Sequence, residues 1–303
     1  VLGLLQLLQR TALDGQQQEY ATKAEAAARS LLGILNDILD FSKVEAGKLE
    51  LESAPFRLDQ VLRNLSVVLS AALGNKKEVE VLFDLDPALP HALCGDALRL
   101  QQVLLNLAGN SVKFTQHGEV VVRLVVVEQD TEQVTIAFSV QDTGIGIAED
   151  KLAFIFEGFS QAEASTTRRF GGTGLGLAIS QRLVGLMGGE ISVNSVLNQG
   201  SCFHFTLSFP LNQQERNAIA SRLPSQAHQG LRVLFVDDNS GALDLLSRMA
   251  SQFGWQAHQA HSGDQAIALV KHSDLRFDAV FIDWQMPTKD GWDTATALHP
   301  LCH

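Results

Sequence analysis

Cysteine is scarce in this 303-residue chain. Its three cysteines, Cys94, Cys202 and Cys302, have no metal-ligand spacing, which argues against a disulfide-stapled scaffold and fits a reducing compartment. Basic charge is also short, with 23 Lys and Arg against 34 Asp and Glu and a formal charge of -11. Without clustered Lys and Arg there is no nucleic-acid footprint. Long apolar runs are missing too, since none approaches the roughly 20 residues that cross a bilayer. The opening VLGLLQLL has no initiating Met and no basic segment before it, so it does not read as a secretory signal. Val1 reads instead as the start of an excised chain, and membrane attachment of a parent protein would involve regions outside it. What is present is an ordinary folded composition, 46% hydrophobic with mean hydropathy +0.07, in a chain long enough for two or three domains.

Three stretches carry chemistry. The alternation of Val134, Ile136, Phe138 and Val140 has the period of a half-buried strand, so Asp142 falls at the rim of a sheet. A carboxylate there accepts a hydrogen bond from the exocyclic amine of adenine and repels the carbonyl of guanine. Gly144 and Gly146 allow a sharp turn and a close approach of the backbone to the base. Upstream, Leu100, Val103, Leu104, Leu107 and Phe114 form an apolar stripe near helical spacing, and Asn106 and Asn110 share another face. Two amide oxygens on one helical face suit Mg²⁺, a hard cation that bridges phosphates, and Lys113 lies one turn further as a point charge for a phosphate. Downstream, Gly172, Thr173, Gly174, Leu175 and Gly176 open an apolar helix through Ile179, Leu183 and Leu186, whose free N–H groups favour phosphate docking. The polar segment 158–170 reads as a mobile lid, with Arg168 or Arg169 reaching the terminal phosphate.

In this order the motifs resemble the catalytic ATP-binding domain of sensor histidine kinases, the Bergerat-type fold shared with gyrase, the Hsp90 chaperones and MutL. The match runs through an N box (Asn106, Asn110, Lys113), a first glycine box (Asp142, Gly144, Gly146), an F box (Phe156, Phe159), a second glycine box (Gly172, Gly174, Gly176) and a closing GSCFHF segment with Gly200 and Ser201. The resemblance implies that Asn110 ligates Mg²⁺, that Asp142 anchors adenine, and that Asn106 and Lys113 belong to the catalytic set. Gyrase-like relatives carry a Glu base where this chain has Asn106. An amide cannot activate water in that way, which disfavours ATP hydrolysis and an ATP-driven clamp.

Residues 1–52 read as a helical hairpin, broken at Asp14 and Gly15, with Asp14 and Gln17 at capping-box spacing. Its second helix carries Tyr20, Ala24, Ala27, Leu31, Ile34, Ile38 and Phe41 as a heptad seam, widened by Leu32, Leu35 and Leu39. Two such hairpins form a dimeric four-helix bundle; the alternative is that the seam packs on its own ATP domain. LLGILNDILDFSKVEAGKLELE resembles the second helix of the kinase dimerisation domain. That family's phosphoacceptor His is absent, because all nine histidines lie outside the hairpin. The chain is therefore expected to bind Mg-ATP without phosphorylating itself on His.

Residues 54–210 read as an α+β sandwich, opening with a helix over 56–73 and with Asp96 capping the Asn helix. Residues 211–229 read as a linker. Residues 230–303 resemble a receiver domain, a flavodoxin-like α/β fold cut short before its later strands. Its first strand ends at Asp237 and Asp238, followed by a helix over 242–253, and a strand over 279–282 ends at Asp283. Three carboxylates at the ends of neighbouring parallel strands make a hard-oxygen Mg²⁺ site. By resemblance Asp283 is the phosphoacceptor, with the backbone carbonyl of Gln285 as a further ligand.

The chain thus reads as part of a hybrid sensor histidine kinase: a partial dimerisation hairpin, an ATP-binding domain and a truncated receiver. It is expected to form a homodimer through the hairpin and to pass phosphoryl groups from a His to Asp283 and on to a downstream phosphotransfer protein or response regulator. The resemblance places this portion in the cytoplasm, with any anchor of the parent in a bacterial inner membrane. The competing reading is a non-catalytic, nucleotide-sensing interaction module.

Overall fold

The computed structural model describes residues 1–74, 76, 78–157, 174–211, 230–272 and 275–301. The chain divides into two compact units, one of Val1–Phe83 with Leu89–Asn217, the other of Ala218–His303 with Asp84–Ala88.

The larger unit begins with the hairpin, helix α1 (Leu2–Gln9) and helix α2 (Gly15–Glu45). The capping box is reciprocal: the Gln17 N–H donates to Asp14 Oδ1 at 2.8 Å, and the Asp14 N–H donates to Gln17 Oε1 at 3.1 Å. Much of the seam faces away from the chain's own sheet domain, although α2 also touches the helix Gly176–Leu186 of that domain. Leu31 is 68% exposed, Leu35 53% and, on α1, Leu4 72%. Near the end of α2, Asp40 accepts from Arg99 Nη1 and Gln102 Nε2, both at 2.9 Å.

Strand β1 (Ala54–Arg57) pairs antiparallel with β3 (Ala92–Gly95). The helix expected from residue 56 therefore starts two residues later, as α3 (Leu58–Leu73), because Phe56 and Arg57 are drawn into that pairing opposite Leu93 and Ala92. Strand β2 (Val79–Leu85), helix α4 (Ala97–Phe114), β4 (Gly118–Gln129), β5 (Gln133–Asp142), the single turn α5 (Glu149–Leu152), α6 (Gly176–Leu186), β6 (Ile191–Val196) and β7 (Gly200–Pro210) complete the domain. The sheet order is β2-β4-β5-β7-β6. Pairs β4–β5, β5–β7 and β7–β6 are antiparallel. Alternate residues of β5 are buried, and Leu100, Val103, Leu104 and Leu107 of α4 are fully buried with them. The stripe read from spacing is thus the core face, with Phe138 stacked on Phe205 at 4.8 Å. Leu211, expected to open the linker, instead extends this core: it is buried, bridges to Leu93, and donates its N–H to the Glu132 carbonyl. Residues 212–229 lie outside the described residues.

The smaller unit is a three-stranded parallel sheet, ordered β10-β8-β9. Its elements are β8 (Arg232–Val236), α7 (Ser240–Gln252), β9 (Gln256–Ala260), α8 (Gly263–His272), β10 (Ala279–Ile282) and α9 (Gly291–Leu298). Strand β8 is buried on both faces, as a central parallel strand should be. Val233 and Phe235 pack with Leu243 and Ala250 of α7, while Leu234 and Val236 pack with Ala260, Ala266, Met286 and Leu298. Helix α7 starts at Ser240, before the expected residue 242, because Asn239 Oδ1 accepts from the N–H groups of Gly241 and Ala242. Strand β9 escaped sequence reading because QAHQA offers no apolar run, and only Ala260 in it is buried.

Candidate functional site

Asp142 ends β5 beside β4 and β7, with a relative exposure of 6%. Its Oδ1 accepts from the Gly144 N–H at 2.9 Å and the Ser201 N–H at 3.3 Å, and its Oδ2 from Ser111 Oγ at 3.0 Å. Burial pushes its carboxyl above the usual carboxylate range, and the three donors work against that rise. Ser201 therefore contributes its backbone to this cluster. Its hydroxyl meets Ser195 Oγ at 3.0 Å, and Ser195 Oγ accepts from the Ile147 N–H at 2.7 Å. The loop after Asp142 is thereby tied to β6 and β7.

Gly144 and Gly146 meet neighbouring backbone closely. A Cβ on Gly144 would press into the Phe114 carbonyl at 2.6 Å, and one on Gly146, at φ +64°, would collide with the Val196 carbonyl. Their close approach is to neighbouring backbone, the end of α4 and the end of β6. They hold the loop in place.

On α4, Asn106 Nδ2 donates to Ser180 Oγ of α6 at 2.8 Å, and Asn110 Nδ2 donates to Asn106 Oδ1 at 3.4 Å. The two amides are thus joined on one face, as their spacing requires. Gly176, the first residue of α6, packs so near that a Cβ there would collide with Asn106 Oδ1. Leu175, just before it, is buried, and Gly174 has φ +70°. Lys113 is half-buried with Nζ 4.9 Å from the centre of the Phe114 ring, and burial holds its amine below the usual lysine range. Phe156 meets Phe203 of β7 edge-to-face at 6.5 Å. Gly172, Thr173, Phe159, Arg168, Arg169 and the expected lid lie outside the described residues.

In the smaller unit, Asp237, Asp238 and Asp283 bring one carboxylate oxygen each within 4.8 Å of one another. Parallel pairing of β8 with β10 places them there. Burial pushes the Asp237 carboxyl upward, and the charges of Asp283 and Asp238 add to the rise. Among the described residues no Lys or Arg forms an ion pair with any of the three; Lys289 is paired with Asp264 at 2.6 Å. Gln285 donates its N–H to Asp283 Oδ2 at 3.2 Å.

Sequence reading missed Ser111, Ser180 and Ser195. For the first two a signal existed: each is a hydroxyl residue on the apolar stripe of its helix, and both are buried. A polar residue at a core position needs a partner, and both partners are residues of the motifs.

Three family models match the chain in succession: a His Kinase A (phospho-acceptor) domain over residues 1–47, a histidine kinase-, DNA gyrase B- and HSP90-like ATPase over 95–211, and a response regulator receiver domain over 233–301. The sensor histidine kinase GacS of Pseudomonas protegens is 41% identical over 254 residues, covering 84% of this chain and 27% of the relative. The signal transduction histidine-protein kinase BarA of Escherichia coli K12 is 42% identical over 251 residues, covering 82% of this chain and 27% of the relative. The chain thus spans about a quarter of the length of these relatives. The crystal structure of full-length ShkA in complex with AMPPNP superposes with a TM-score of 0.57 at 26% identity, covering 98% of this chain and 86% of that one. With a phospho-acceptor domain, an ATPase-type domain and a receiver domain in one chain, the protein belongs to the hybrid sensor histidine kinases.

Proposed function

We propose that the larger unit binds Mg-ATP and that, in the whole protein, the pocket phosphorylates a histidine whose phosphoryl group passes to Asp283. The observation that carries this reading is the buried Asp142. Three donors fix it as an acceptor at the sheet rim, beside the Asn106–Asn110 pair and the glycine-led start of α6. In this reading Asp142 accepts from the adenine amine, Asn110 holds Mg²⁺ with Asn106 beside it, and Lys113 faces phosphate. Gly144, Gly146, Gly174, Leu175, Gly176, Phe156 and Ser201 shape the pocket, and Gly172, Thr173 and Arg169 complete its phosphate side. Bound Mg²⁺ would neutralise phosphate charge. Residues 1–47 contain no histidine, so transfer needs a hairpin that carries one.

The receiver cluster fits a second divalent cation, because three carboxylates converge and, among the described residues, no Lys or Arg forms an ion pair with them. Asp237, Asp238 and Asp283, with the Gln285 carbonyl, would hold it, and Asp283 would act as the nucleophile toward phosphorus. The exposed seam on α2 supports a homodimer through the hairpin, and the receiver supports a phosphotransfer protein or response regulator as the downstream partner. We place the domain limits at 1–52, 54–210 and 230–303, with the linker between the last two. No described helix is long and apolar enough to cross a membrane; this portion is cytoplasmic in our reading, and an anchor in a bacterial inner membrane would belong to other regions of the parent.

Calorimetric titration with a non-hydrolysable ATP analogue tests the pocket. Saturable binding that the GTP equivalent does not reproduce is expected. Asp142→Ala should weaken it roughly 100-fold, the scale of one hydrogen bond to a charged acceptor with its partners left unmatched. Equal binding of both analogues, or an Asp142→Ala variant that binds normally, would overturn the reading.

A further inference from the structure

The Asn106 amide is held from outside its own helix. Ser180 lies one turn beyond Gly176 in α6, is 1% exposed, and takes the Asn106 Nδ2 hydrogen bond at 2.8 Å. A serine inside a helix commonly donates its own proton to the carbonyl one turn back, leaving its oxygen as an acceptor. A primary amide carries its oxygen and its nitrogen in one plane, diverging from the same carbon. Turning Nδ2 of Asn106 toward Ser180 therefore turns its Oδ1 the other way, and that oxygen accepts from Asn110 Nδ2 at 3.4 Å. Turning Nδ2 of Asn110 toward Asn106 then leaves Asn110 Oδ1 facing away from the pair. The chain of orientations begins at Ser180. It is short enough to operate because residue 176 is Gly, which lets α6 lie against Asn106.

We infer that Ser180 is a positioning residue for the divalent cation: through Asn106 it sets the Asn110 amide so that oxygen, and not NH₂, is offered to the metal. Only the oxygen can ligate a hard cation, and the two orientations of an amide have nearly the same shape. Among the described residues no other acceptor meets Asn106 Nδ2, so removing the Ser180 hydroxyl removes the selection at that end of the pair. The inference rests on the Mg-ATP reading of the pocket.

The test is calorimetric titration of the full 303-residue chain with a non-hydrolysable ATP analogue across a series of Mg²⁺ concentrations, for the parent, Ser180→Ala, Asn106→Ala and the double variant. In Ser180→Ala the metal-free affinity for the analogue should stay within about twofold of the parent, and the gain in affinity on adding Mg²⁺ should fall about tenfold, the usual cost of removing a residue that orients a metal ligand. In the Asn106→Ala background Ser180→Ala should cause no further loss, since its effect passes through Asn106. Undiminished Mg²⁺ gain in Ser180→Ala would overturn the inference. So would an equal fall with and without metal, or a loss that persists in full without Asn106. If the parent does not bind the analogue at any Mg²⁺ concentration, the pocket reading fails and takes this inference with it; a parent that binds and couples normally in Ser180→Ala overturns this inference alone.

Discussion

Asp142 and Asp283 are alike from behind and opposite in front. Asp142 closes β5 two residues after Val140, Asp283 directly follows Ile282 of β10, and each has its own carbonyl backed by a glycine. A Cβ on Gly200 would collide with the Asp142 carbonyl, and one on Gly291 with the Asp283 carbonyl. In front, Asp142 faces three hydrogen-bond donors, whereas Asp283 faces two other carboxylates and the single N–H of Gln285. The difference separates two uses of one residue type. A carboxylate already surrounded by dipoles is a fixed acceptor for a neutral polar group. A carboxylate among like charges stays electrostatically unsatisfied until a cation arrives, so its chemistry begins with metal.

The sharpest way to break the likeness is at the two glycines. Gly200→Ala combines the collision with a φ of +106°, a conformation that L side chains rarely adopt, and should cost about 4 kcal/mol in the larger unit. Gly291→Ala meets the same kind of collision without the positive φ and should cost less, about 2 kcal/mol in the smaller unit. Chemical denaturation followed by probes specific to each unit checks both the order and the location. Equal losses, or a loss in the wrong unit, would remove the parallel.

The contrast in front predicts opposite responses to neutralisation. Asp283→Asn relieves like-charge repulsion and should stabilise the metal-free receiver unit by on the order of 1 kcal/mol. In millimolar Mg²⁺ the sign should reverse, because the parent gains the binding free energy of the cation and the variant loses a ligand. Thermal midpoints with and without Mg²⁺ decide this, and parallel shifts would argue against a cation site.

The smallest effect belongs to Asp142→Asn. An amide keeps an oxygen for the Gly144 and Ser201 N–H groups and turns NH₂ toward Ser111. Since burial raises the Asp142 carboxyl, the folded chain binds that proton more tightly than the unfolded chain. The stability linked to this group is present at acid pH and is lost as pH rises from the ordinary carboxylate value through the raised one. The variant should therefore be slightly more stable than the parent near neutral pH, by less than about 1 kcal/mol, and should lose that advantage in acid while binding adenine nucleotide poorly. A variant less stable at neutral pH would show that the three donors outweigh desolvation.

The strand that ends at Asp142, the stripe of α4 and its Asp96 cap were legible because alternation, helical spacing and capping residues are local patterns. The Asn pair and the three receiver carboxylates were legible as neighbours, because a spacing of four shares one helical face and parallel strand ends lie side by side. Strand β9 was not, since parallel pairing with β8 supplies its order while its own residues, Gln256 to Ala260, carry almost no apolar signal. Helix α3 began late for a similar reason: Phe56 and Arg57 answer to β3, more than thirty residues away.

By itself the sequence determined where Asp142, Asn106, Asn110, Asp237, Asp238 and Asp283 stand, because period and spacing place them at strand ends and on one helical face. Only the tertiary structure decided what each one faces. The Ser111 hydroxyl on Asp142, the Ser180 hydroxyl on Asn106 and Gly200 behind Asp142 come from elements distant along the chain. Hydrogen bonds and van der Waals contacts act over a few ångströms, and only folding brings such residues within that range.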